Sequence, residues 1–393
     1  MSENLTKEQW TQKLEEGMAA LNETAGIRKP APIMGEGDYH TNEMPLCNRM
    51  ITKDMIRLYA SAIGDFNPMW VDEDYAKGSK WGGIIAPPMC EVMIAEAAAV
   101  PPPLDLGGLS YMNGGSKRTY FQPIRPRDEF EAFDTFNGVI EKSNPAKPYR
   151  LFILNGKREI FNQNGELVLI VSSNILVTAR YPEPGKGKKE KDFSQIKRKG
   201  FTPYELAIFH QSYDDEIAGV NRYGRGKRNW DSVNIGDTLP DVYKGPYDYC
   251  DAVSFFNVTG FSMGFAKKWY TMRNNPAAFV ADPETNELHA APDWHFSDAV
   301  ARMRGVPFAP IFGTHIEASM MSNVTNWMGD DAKVIEVSSQ IRQMIFMGDV
   351  FICKGTVVDK YEDNGEKLVK IDLKAEKYGT DIVSSTGYAI VAL

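Results

Sequence analysis

The chain has 393 residues, of which 43% are hydrophobic and 24% charged, and its net charge is −8. These proportions exclude a disordered chain, a collagen-like fibre and a short disulfide scaffold. The acidic charge argues against a general nucleic-acid binder, because phosphate neutralisation needs a basic surface. No apolar run approaches the roughly 18 residues of a membrane span, and the polar N-terminus is unlike a signal peptide. The length fits two domains or one doubled domain.

Four cysteines are spread along the chain without any Cys-x-x-Cys pair. This spacing is typical of reduced thiols, and it argues against a disulfide framework and a structural zinc site. We therefore expect a cytoplasmic location. The cysteines are Cys47, Cys90, Cys250 and Cys353.

The chain begins with an amphipathic segment. Thr6 and Gln9 have capping-box spacing, and apolar residues recur on one face, which predicts a helix over 6–21. This helix either packs on the body of the protein or forms an arm that binds a partner. The apolar stripe consists of Trp10, Leu14, Met18 and Leu21.

Two further helices are predicted in the first half. Residues 30–48 are punctuated by Pro and Gly and should be extended or looped. The next helix covers 52–63 and ends at Gly64. Another apolar helix covers roughly 89–100, and the three prolines at 101–103 end it.

The pattern then changes to strands and a linker. The segments rich in β-branched and aromatic residues are 118–121, 129–139, 149–162 and 167–178, with an Asn-Gly hairpin signal at 164–165. A Pro/Gly-rich linker over 180–200 carries seven Lys/Arg residues after Arg180, so it is either a solvated connector or a phosphate-binding patch. Thr202 then caps a helix that begins at Pro203. The basic residues of the linker are Lys186, Lys188, Lys189, Lys191, Lys197, Arg198 and Lys199.

The second half repeats the first in outline. Its predicted helices are 251–258, 297–302 and 314–327, and its predicted strands are 242–245, 334–346, 350–358, 368–377 and 384–391. A segment of mixed polarity, 261–294, interrupts them. Because helix, loop, helix and meandering strands occur twice, we predict a doubled unit of roughly 150–170 residues.

A motif follows the helix at 52–63. Positions 64–72 are Gly-Asp-Phe-Asn-Pro-Met-Trp-Val-Asp, Ala76 follows, and positions 81–88 are Trp-Gly-Gly-Ile-Ile-Ala-Pro-Pro. This motif closely resembles the signature of the MaoC-like, (R)-specific enoyl-CoA hydratases. That signature runs Gly-Asp-x-Asn-Pro-x-His-x-Asp-x-x-x-Ala and then Gly-Gly-x-Ile-Ala-x-Gly. In that family the Asp and the His together activate one water for addition across the double bond of an enoyl thioester.

The resemblance implies an α+β double hot-dog fold, in which two long central helices are each wrapped by an antiparallel sheet. It covers roughly residues 45–180 and 228–393. The predicted organisation is an N-terminal helix and extended arm (1–39), a first hot-dog domain with a degenerate motif (40–180), a basic linker and helix (181–227), and a second hot-dog domain (228–393) with an insertion at 261–294.

A second copy of the motif lies around His295. Residues of the two copies correspond by their spacing, and the pairs are Trp70 with His295, Ala76 with Ala301, and Pro88 with Gly313. The segments 125–128 and 346–349 also correspond, because each precedes a strand as the Pro-Gly-Asp turn does in the family.

The two copies keep different parts of the machinery that the resemblance implies. In the first copy Trp70 cannot take a proton, although a hydratase needs a base such as imidazole. The family also uses a backbone N–H at the start of the central helix as an oxyanion donor, and Pro88 has none. The second copy keeps His295 as base and Gly313 as donor but lacks the Asp. Open candidates for its carboxylate are Asp282, Glu284, Glu287 and Asp293.

The first copy retains Asp65 and Asn67. Either both residues only set the geometry of a turn, or Asp65 takes part in chemistry with a group other than histidine. By analogy with two-domain members of the family, the first half would bind substrate. The candidate catalytic residues are therefore His295, Gly313 and Asp65, and the candidate substrate-binding residues are Asn67, Trp70 and His315.

The other histidines suggest no further site. His40 and His210 lie in polar stretches and should be on the surface, and His289 should be a loop residue. For His315 the alternative to substrate contact is a packing or capping role. A metal site built from His289, Asp293 and His295 matches no strong spacing pattern, so we expect no metal.

Three functions are compatible with these residues. We predict an acyl-CoA hydro-lyase that hydrates a 2-enoyl-CoA or dehydrates a 3-hydroxyacyl-CoA. The alternatives are a hot-dog thioesterase that uses Asp65, and a non-catalytic acyl-CoA-binding subunit of a hetero-oligomeric hydratase. We expect no cofactor besides the coenzyme A of the substrate, no nucleic-acid or membrane partner, and a homodimer or a hetero-oligomer with another hot-dog chain. The acyl group, fatty or aromatic, is left open.

Overall fold

A computed structural model describes residues 5–33, 46–95, 104, 106–183, 193, 195–260, 269, 279–282 and 285–393. Seven α-helices lie in these ranges: α1 (Lys7–Glu23), α2 (Lys53–Ala62), α3 (Glu73–Lys77), α4 (Pro203–Ala218), α5 (Tyr249–Val258), α6 (Asp298–Met303) and α7 (Gly313–Met328). In the part of the chain that is described, no helix is long and apolar enough to cross a bilayer.

Twelve strands accompany the helices. The first half contains β1 (Arg28–Pro30), β2 (Leu109–Tyr120), β3 (Phe130–Glu141), β4 (Arg150–Asn162) and β5 (Leu167–Ala179). The second half contains β6 (Val242–Lys244), β7 (Phe279–Ala281), β8 (Leu288–Ala290), β9 (Lys333–Ile341), β10 (Phe351–Asp363), β11 (Glu366–Lys377) and β12 (Val383–Ala392).

Ten of these strands form one antiparallel sheet that runs through both halves. Its order is β1-β3-β4-β5-β2-β9-β12-β11-β10-β6, and β7 with β8 forms a separate hairpin. The halves meet where β2 pairs with β9, from Ser116 opposite Ser339 to Thr119 opposite Glu336. Successive side chains of a strand point to opposite faces of the sheet, and one face packs on the core, so burial alternates along the strands of each half.

Helix α7 is the central helix of the second half. Every side chain from Thr314 to Met328 is buried, and the helix packs on β6, β10, β11 and β12. A helix that is buried on all sides belongs inside a core, and here the sheet wraps around it. The sequence prediction of a helix over 314–327 is confirmed.

Helix α1 packs on the body of the protein. The capping box between Thr6 and Gln9 is formed, and the Trp10 indole donates to the Gly107 carbonyl at 2.7 Å. The buried face of α1 covers Phe136 and Phe152 on the first half of the sheet. Of the two interpretations of this segment, the packed helix is therefore the one that the structure supports.

The predicted helix over 89–100 is wrong in its described part. A short 3₁₀ turn covers Cys90–Met93 instead, and residues 96–100 lie outside the described ranges. Met89 has a left-handed conformation with φ +66°, and its N–H donates to the Tyr120 hydroxyl at 3.0 Å. This conformation breaks the helical path directly after the two prolines.

Three strand boundaries differ from the prediction by five residues or more, and one is the end of β10 at Asp363 rather than at residue 358. Strand β2 begins at Leu109, well before residue 118, and β9 ends at Ile341 rather than at residue 346. Register shifts at Gly115 let β2 continue through its glycines, which the sequence pattern treats as strand breakers. The helix that Thr202 caps is confirmed as α4.

The repeated organisation is visible in matching turns. Helices α2 and α5 have 10 residues each, and each is followed by a glycine with positive φ, Gly64 at +66° and Gly260 at +69°. The turn 125–128 has its first N–H donated to the Asp128 carboxylate at 2.7 Å. The turn 346–349 has the same bond to Asp349 at 2.8 Å. The two segments paired in the sequence are thus built alike.

The described part of the basic linker carries ion pairs. Arg198 Nη2 lies 2.8 Å from the Asp298 carboxylate, and Lys199 lies 3.2 Å from Glu205. Lys197 is exposed. Four of the linker's basic residues lie outside the described ranges, namely Lys186, Lys188, Lys189 and Lys191.

Candidate active site

The two motif copies hold Trp70 and His295 in equivalent positions. Trp70 ends a 3₁₀ turn over Pro68–Trp70 that precedes α3. His295 ends a 3₁₀ turn over Ala291–His295 that precedes α6. The pairing of the two residues by sequence spacing therefore agrees with their local structure.

The tautomer of His295 is set by the backbone. Its Nδ1 lies 2.9 Å from the Pro310 carbonyl oxygen. Because a carbonyl only accepts, Nδ1 carries the proton, and the neutral ring presents an unprotonated Nε2. Burial lowers the pKa of His295 to about 4, the Pro310 carbonyl opposes this shift, and the charge of Arg304 adds to it. The imidazole is neutral at pH 7 and is in the form that acts as a base.

Aromatic rings surround His295. The ring of Phe256 is 5.8 Å from the imidazole, and those of Trp294 and Phe312 are each 5.2 Å away. These apolar neighbours account for the desolvation of the histidine. The surroundings of the imidazole are thus largely apolar.

Gly313 is the first residue of α7, next in the chain to Phe312. The first N–H groups of a helix have no carbonyl acceptor within the helix, and the helix dipole favours negative charge at this end. Within the described ranges we find no acceptor for the Gly313 N–H. A Cβ at Gly313 would lie 2.1 Å from Ile341 Cδ1, so the close approach of Ile341 also requires glycine here.

The corresponding end of the first copy is closed. Pro88 has no N–H, and the next N–H, that of Met89, is taken by the Tyr120 hydroxyl. Trp70 fills the position of the base and is 3% exposed. The first copy thus lacks both the base and the open donor.

The acidic residues of the insertion gather around His289. The distances from its ring nitrogens are 4.0 Å to Asp282, 4.0 Å to Glu287 and 3.4 Å to Asp293. Glu284 lies outside the described ranges. Among the described residues no carboxylate contacts His295, and no group of three His, Cys, Asp or Glu side chains is arranged to hold a metal ion.

Asp65 and Asn67 form a turn of local hydrogen bonds. The Asp65 carboxylate accepts from the Asn67 N–H at 2.9 Å, and the Asn67 side chain accepts from the Met69 N–H at 3.0 Å. Burial raises the pKa of Asp65, which the Asn67 N–H and the Trp70 indole partly oppose. Asp65 Oδ2 and Trp70 Nε1 nevertheless make no hydrogen bond of normal geometry.

The first motif lies at the other end of α7 from His295. The Asn67 amide donates to the Asp330 carboxylate at 3.2 Å, and the Tyr75 hydroxyl donates to the same carboxylate at 2.6 Å. Asp330 follows the last residue of α7 by two positions, whereas His295 contacts the residue before its first. A helix of 16 residues is about 24 Å long, so Asn67 and Tyr75 are remote from His295. Among the described residues, no contact joins Asp65 to His295.

His315 connects the two halves. Its Nε2 lies 2.9 Å from the Ala62 carbonyl and therefore donates, while its Nδ1 accepts from the Tyr247 hydroxyl at 2.7 Å. The ring stacks on Phe255 at 4.2 Å, and burial lowers its pKa to about 3. Since both nitrogens are occupied, the packing role is the one that this geometry favours.

Two residues near His295 were missed by sequence reasoning. The Asp298 carboxylate binds Arg198, the Tyr249 hydroxyl at 3.3 Å and the Ala309 N–H at 2.9 Å. It thereby fixes the loop between α6 and α7. Arg304, at the end of α6, influences the pKa of His295. The contacts of Asp298 join distant parts of the chain, so no local pattern announces them. Of the remaining histidines, His210 is exposed, and His40 lies outside the described ranges.

A family model and several curated proteins each match about a third of this chain. Residues 42–171 match the family described as FAS1-like, dehydratase domain region. A UPF0336 protein of Streptomyces griseus subsp. griseus is 27% identical over 133 residues, which is 33% of this chain and 85% of that protein. A UPF0336 protein of Streptomyces coelicolor is 28% identical over the same lengths.

Solved structures extend the similarity to the whole chain. A MaoC-like dehydratase has a TM-score of 0.60 at 14% identity, covering 94% of this chain and 99% of its own. A MaoC-like dehydratase from Phytophthora capsici has a TM-score of 0.52 at 12% identity, covering 96% and 97%. A conserved hypothetical protein from Mycobacterium tuberculosis with a double hotdog fold has a TM-score of 0.50 at 11% identity, covering 88% and 92%.

The protein is thus an α+β protein with a double hot-dog fold, as the motif implied. Its fold is that of the MaoC-like dehydratases, and the resemblance found in the sequence is confirmed. The family match lies in the first half, where the motif is easiest to read, whereas the candidate base His295 and the candidate donor Gly313 lie in the second.

Proposed function

We propose that this protein is a hydro-lyase that reversibly adds water to the double bond of a 2-enoyl thioester, most simply a coenzyme A ester. The observation that carries the proposal is the geometry of His295. Its Nδ1–H is held by the Pro310 carbonyl, which leaves Nε2 unprotonated on a ring that lies against Phe312, the residue before the N-terminus of α7.

The proposed addition uses one base and one donor. Nε2 of His295 takes a proton from water while the water oxygen forms a bond to the β-carbon. The electrons of the double bond move toward the α-carbon, and the thioester oxygen gains negative charge that the Gly313 N–H stabilises. The imidazolium of His295 then returns the proton to the α-carbon. One water is added in total, and the reverse sequence is the dehydration.

A strongly desolvated imidazole is a weak base in the free protein. The negative charge that develops on the thioester oxygen would favour the imidazolium, and this attraction is strong where water is excluded. The proposal therefore assigns the acceleration mainly to charge stabilisation around His295 and the start of α7. It also assigns one site to each chain, because the first copy is closed at both positions.

Two other functions have observations in their favour. Asp65 Oδ2 is buried and without a hydrogen-bond partner, which favours a thioesterase that uses this carboxyl. The lack of a carboxylate against His295 in the described ranges favours a complex in which a second hot-dog chain completes the site. A homodimer or a hetero-oligomer remains part of the proposal on this ground.

The test is a spectrophotometric screen of the purified protein with short, medium, branched and aromatic 2-enoyl-CoA esters. Loss of the conjugated thioester absorbance measures hydration, and a thiol reagent measures free coenzyme A. The proposal predicts reversible loss of absorbance without thiol release. Thiol release would support the thioesterase instead. A His210→Ala variant serves as the control for histidine substitution, because His210 is exposed.

A further inference from the structure

Arg304 is a cation with unmet hydrogen-bonding capacity beside the candidate site. It caps the C-terminus of α6 through its backbone N–H. Its side chain is half-buried, and the Nε atom is buried without a hydrogen-bond partner. The guanidinium carbon lies 5.9 Å from the centre of the Trp294 ring, and the same ring lies against His295 at 5.2 Å.

The fully buried arginines among the described residues are paired. Arg118 binds Glu91, and Arg158 binds Asp134 at 2.7 Å. For Arg304 we find no ion pair and no side-chain hydrogen bond in the described ranges, although Asp293 exerts a weak attraction at longer range. A buried donor without a partner costs free energy comparable to a lost hydrogen bond, more so when the group is charged.

The chemistry of guanidinium defines the missing partner. Its planar fork of donors matches the paired oxygens of a carboxylate or a phosphate. The charge of Arg304 lowers the pKa of His295, so the two groups are close enough to interact. A substrate that occupies the candidate site could therefore also place an anion against Arg304. An uncharged acyl chain would leave the donor unmet.

We infer that Arg304 is a specificity-determining residue that binds an anionic oxygen group of the thioester substrate. This group is either a carboxylate on the acyl chain or a phosphate of the thioester carrier. The inference rests on the proposed function for the identity of the substrate. It adds that a thioester carrying an anionic group that reaches Arg304 is preferred.

Equilibrium binding of unreactive saturated thioesters tests the inference. The probes are pentanoyl-CoA and glutaryl-CoA, which differ by one terminal carboxylate, and the corresponding S-acyl pantetheines, which lack the phosphates. Calorimetry measures their dissociation constants for the parent, Arg304→Gln and Arg302→Gln. Arg302 is a matched control, because it lies on the same helix, is exposed, and donates only to the Pro307 carbonyl at 3.2 Å.

The two anion sources give different patterns. If Arg304 binds an acyl carboxylate, glutaryl thioesters bind the parent about 10- to 100-fold tighter than pentanoyl thioesters, and Arg304→Gln removes the difference. If it binds a phosphate, Arg304→Gln weakens both CoA thioesters by a similar factor and leaves S-pentanoyl pantetheine unchanged. Either pattern supports the inference.

The inference is overturned if Arg304→Gln binds every probe as Arg302→Gln does. It is also overturned if the variant weakens S-pentanoyl pantetheine as much as the charged probes, since the effect would then be structural. Turnover combined with Arg304-independent binding would reject this inference alone. Arg304-dependent binding without turnover would reject the proposed hydration alone, and failure of the parent to bind any thioester would reject both.

Discussion

At the scale of single residues, the two motif copies differ most at the position of the base. Trp70 and His295 end equivalent 3₁₀ turns, yet one is an indole without a proton-accepting nitrogen and the other an imidazole whose Nε2 is free to accept. The Pro310 carbonyl fixes the tautomer of His295. This single contact decides which ring nitrogen faces the site, and no spacing rule in the sequence contains it.

Two buried histidines make the stability of the fold depend on pH. Burial lowers the pKa of His295 to about 4 and that of His315 to about 3, from the ordinary 6.5. Above pH 6.5 both are neutral in the folded and unfolded states. As the pH falls below 6.5, only the unfolded chain takes up these protons, so the free energy of unfolding decreases by up to about 1.4 kcal/mol per pH unit for each histidine.

Denaturant titrations between pH 7 and pH 4.5 measure this effect. Buried carboxyls with raised pKa values, such as Asp65 and Glu216, change stability in the opposite direction. The comparison is therefore between the parent and His315→Gln, which removes one histidine and keeps the carboxyls. We expect the variant to show a shallower loss of stability on acidification. Equal slopes would contradict the burial of a neutral His315.

At the scale of the elements, the N-terminus of α7 joins the chemistry to the packing. Gly313 offers an N–H without an acceptor in the described ranges. Ile341, on the strand β9 that pairs with the first half, occupies the space where a Cβ of residue 313 would be. His315, two residues on, ties the same end to Ala62 and Tyr247. The donor is therefore held by contacts from both halves of the molecule.

A double-mutant cycle tests the packing around Gly313. Gly313→Ala places a Cβ against Ile341 Cδ1 and should destabilise the fold by about 1–3 kcal/mol through overpacking. Ile341→Ala alone should destabilise by removing apolar contacts. The double variant should be more stable than the sum of the two effects predicts, because the truncated side chain frees the space. Thermal and denaturant unfolding measure the coupling, and strict additivity would contradict the close approach.

Local patterns predicted those elements that depend on local residues. The capping boxes of α1 and α4, the apolar face of α1 and the long apolar helix α7 were all readable from spacing. The turn at Cys90–Met93 was not predicted. It depends on the left-handed conformation of Met89, whose N–H is bound by the Tyr120 hydroxyl 31 residues away in the chain. The candidate base His295 and the candidate donor Gly313 followed from a duplicated motif. The roles of His315 and Arg304 depend on contacts that only the folded chain creates.

At the scale of the whole molecule, the strand pair of β2 with β9 and a buried polar network beside it are among the contacts between the halves. Arg118 on β2 binds Glu91 and Ser116, and Glu317 on α7 accepts from Ser339 on β9 at 2.8 Å. Burial raises the pKa of Glu317, although the nearby Arg118 opposes this rise. The charge of Arg118 thus acts on two buried carboxyls, those of Glu91 and Glu317, beside the pair of β2 with β9.

Removal of the Arg118 charge should lower the free energy of unfolding. Arg118→Met leaves Glu91 buried without its partner, and breaking a buried ion pair on one side costs about 3–5 kcal/mol. The double variant Glu91→Gln/Arg118→Met removes both charges and should recover part of this loss. Denaturant unfolding of the full chain measures both values. A loss below about 1 kcal/mol in the single variant would contradict the importance of this buried ion pair for stability.

The central claim is that the second motif copy performs the chemistry and the first does not. The most direct test measures hydration of one accepted enoyl-CoA by the parent, His295→Ala and Asp65→Asn, with equal folding checked by circular dichroism and unfolding midpoints. Our account predicts that His295→Ala lowers kcat by about 10²- to 10⁴-fold. It predicts that Asp65→Asn, whose side-chain oxygen still accepts from the Asn67 N–H, stays within about 3-fold of the parent. Full activity of His295→Ala, or loss of activity in Asp65→Asn, would contradict it.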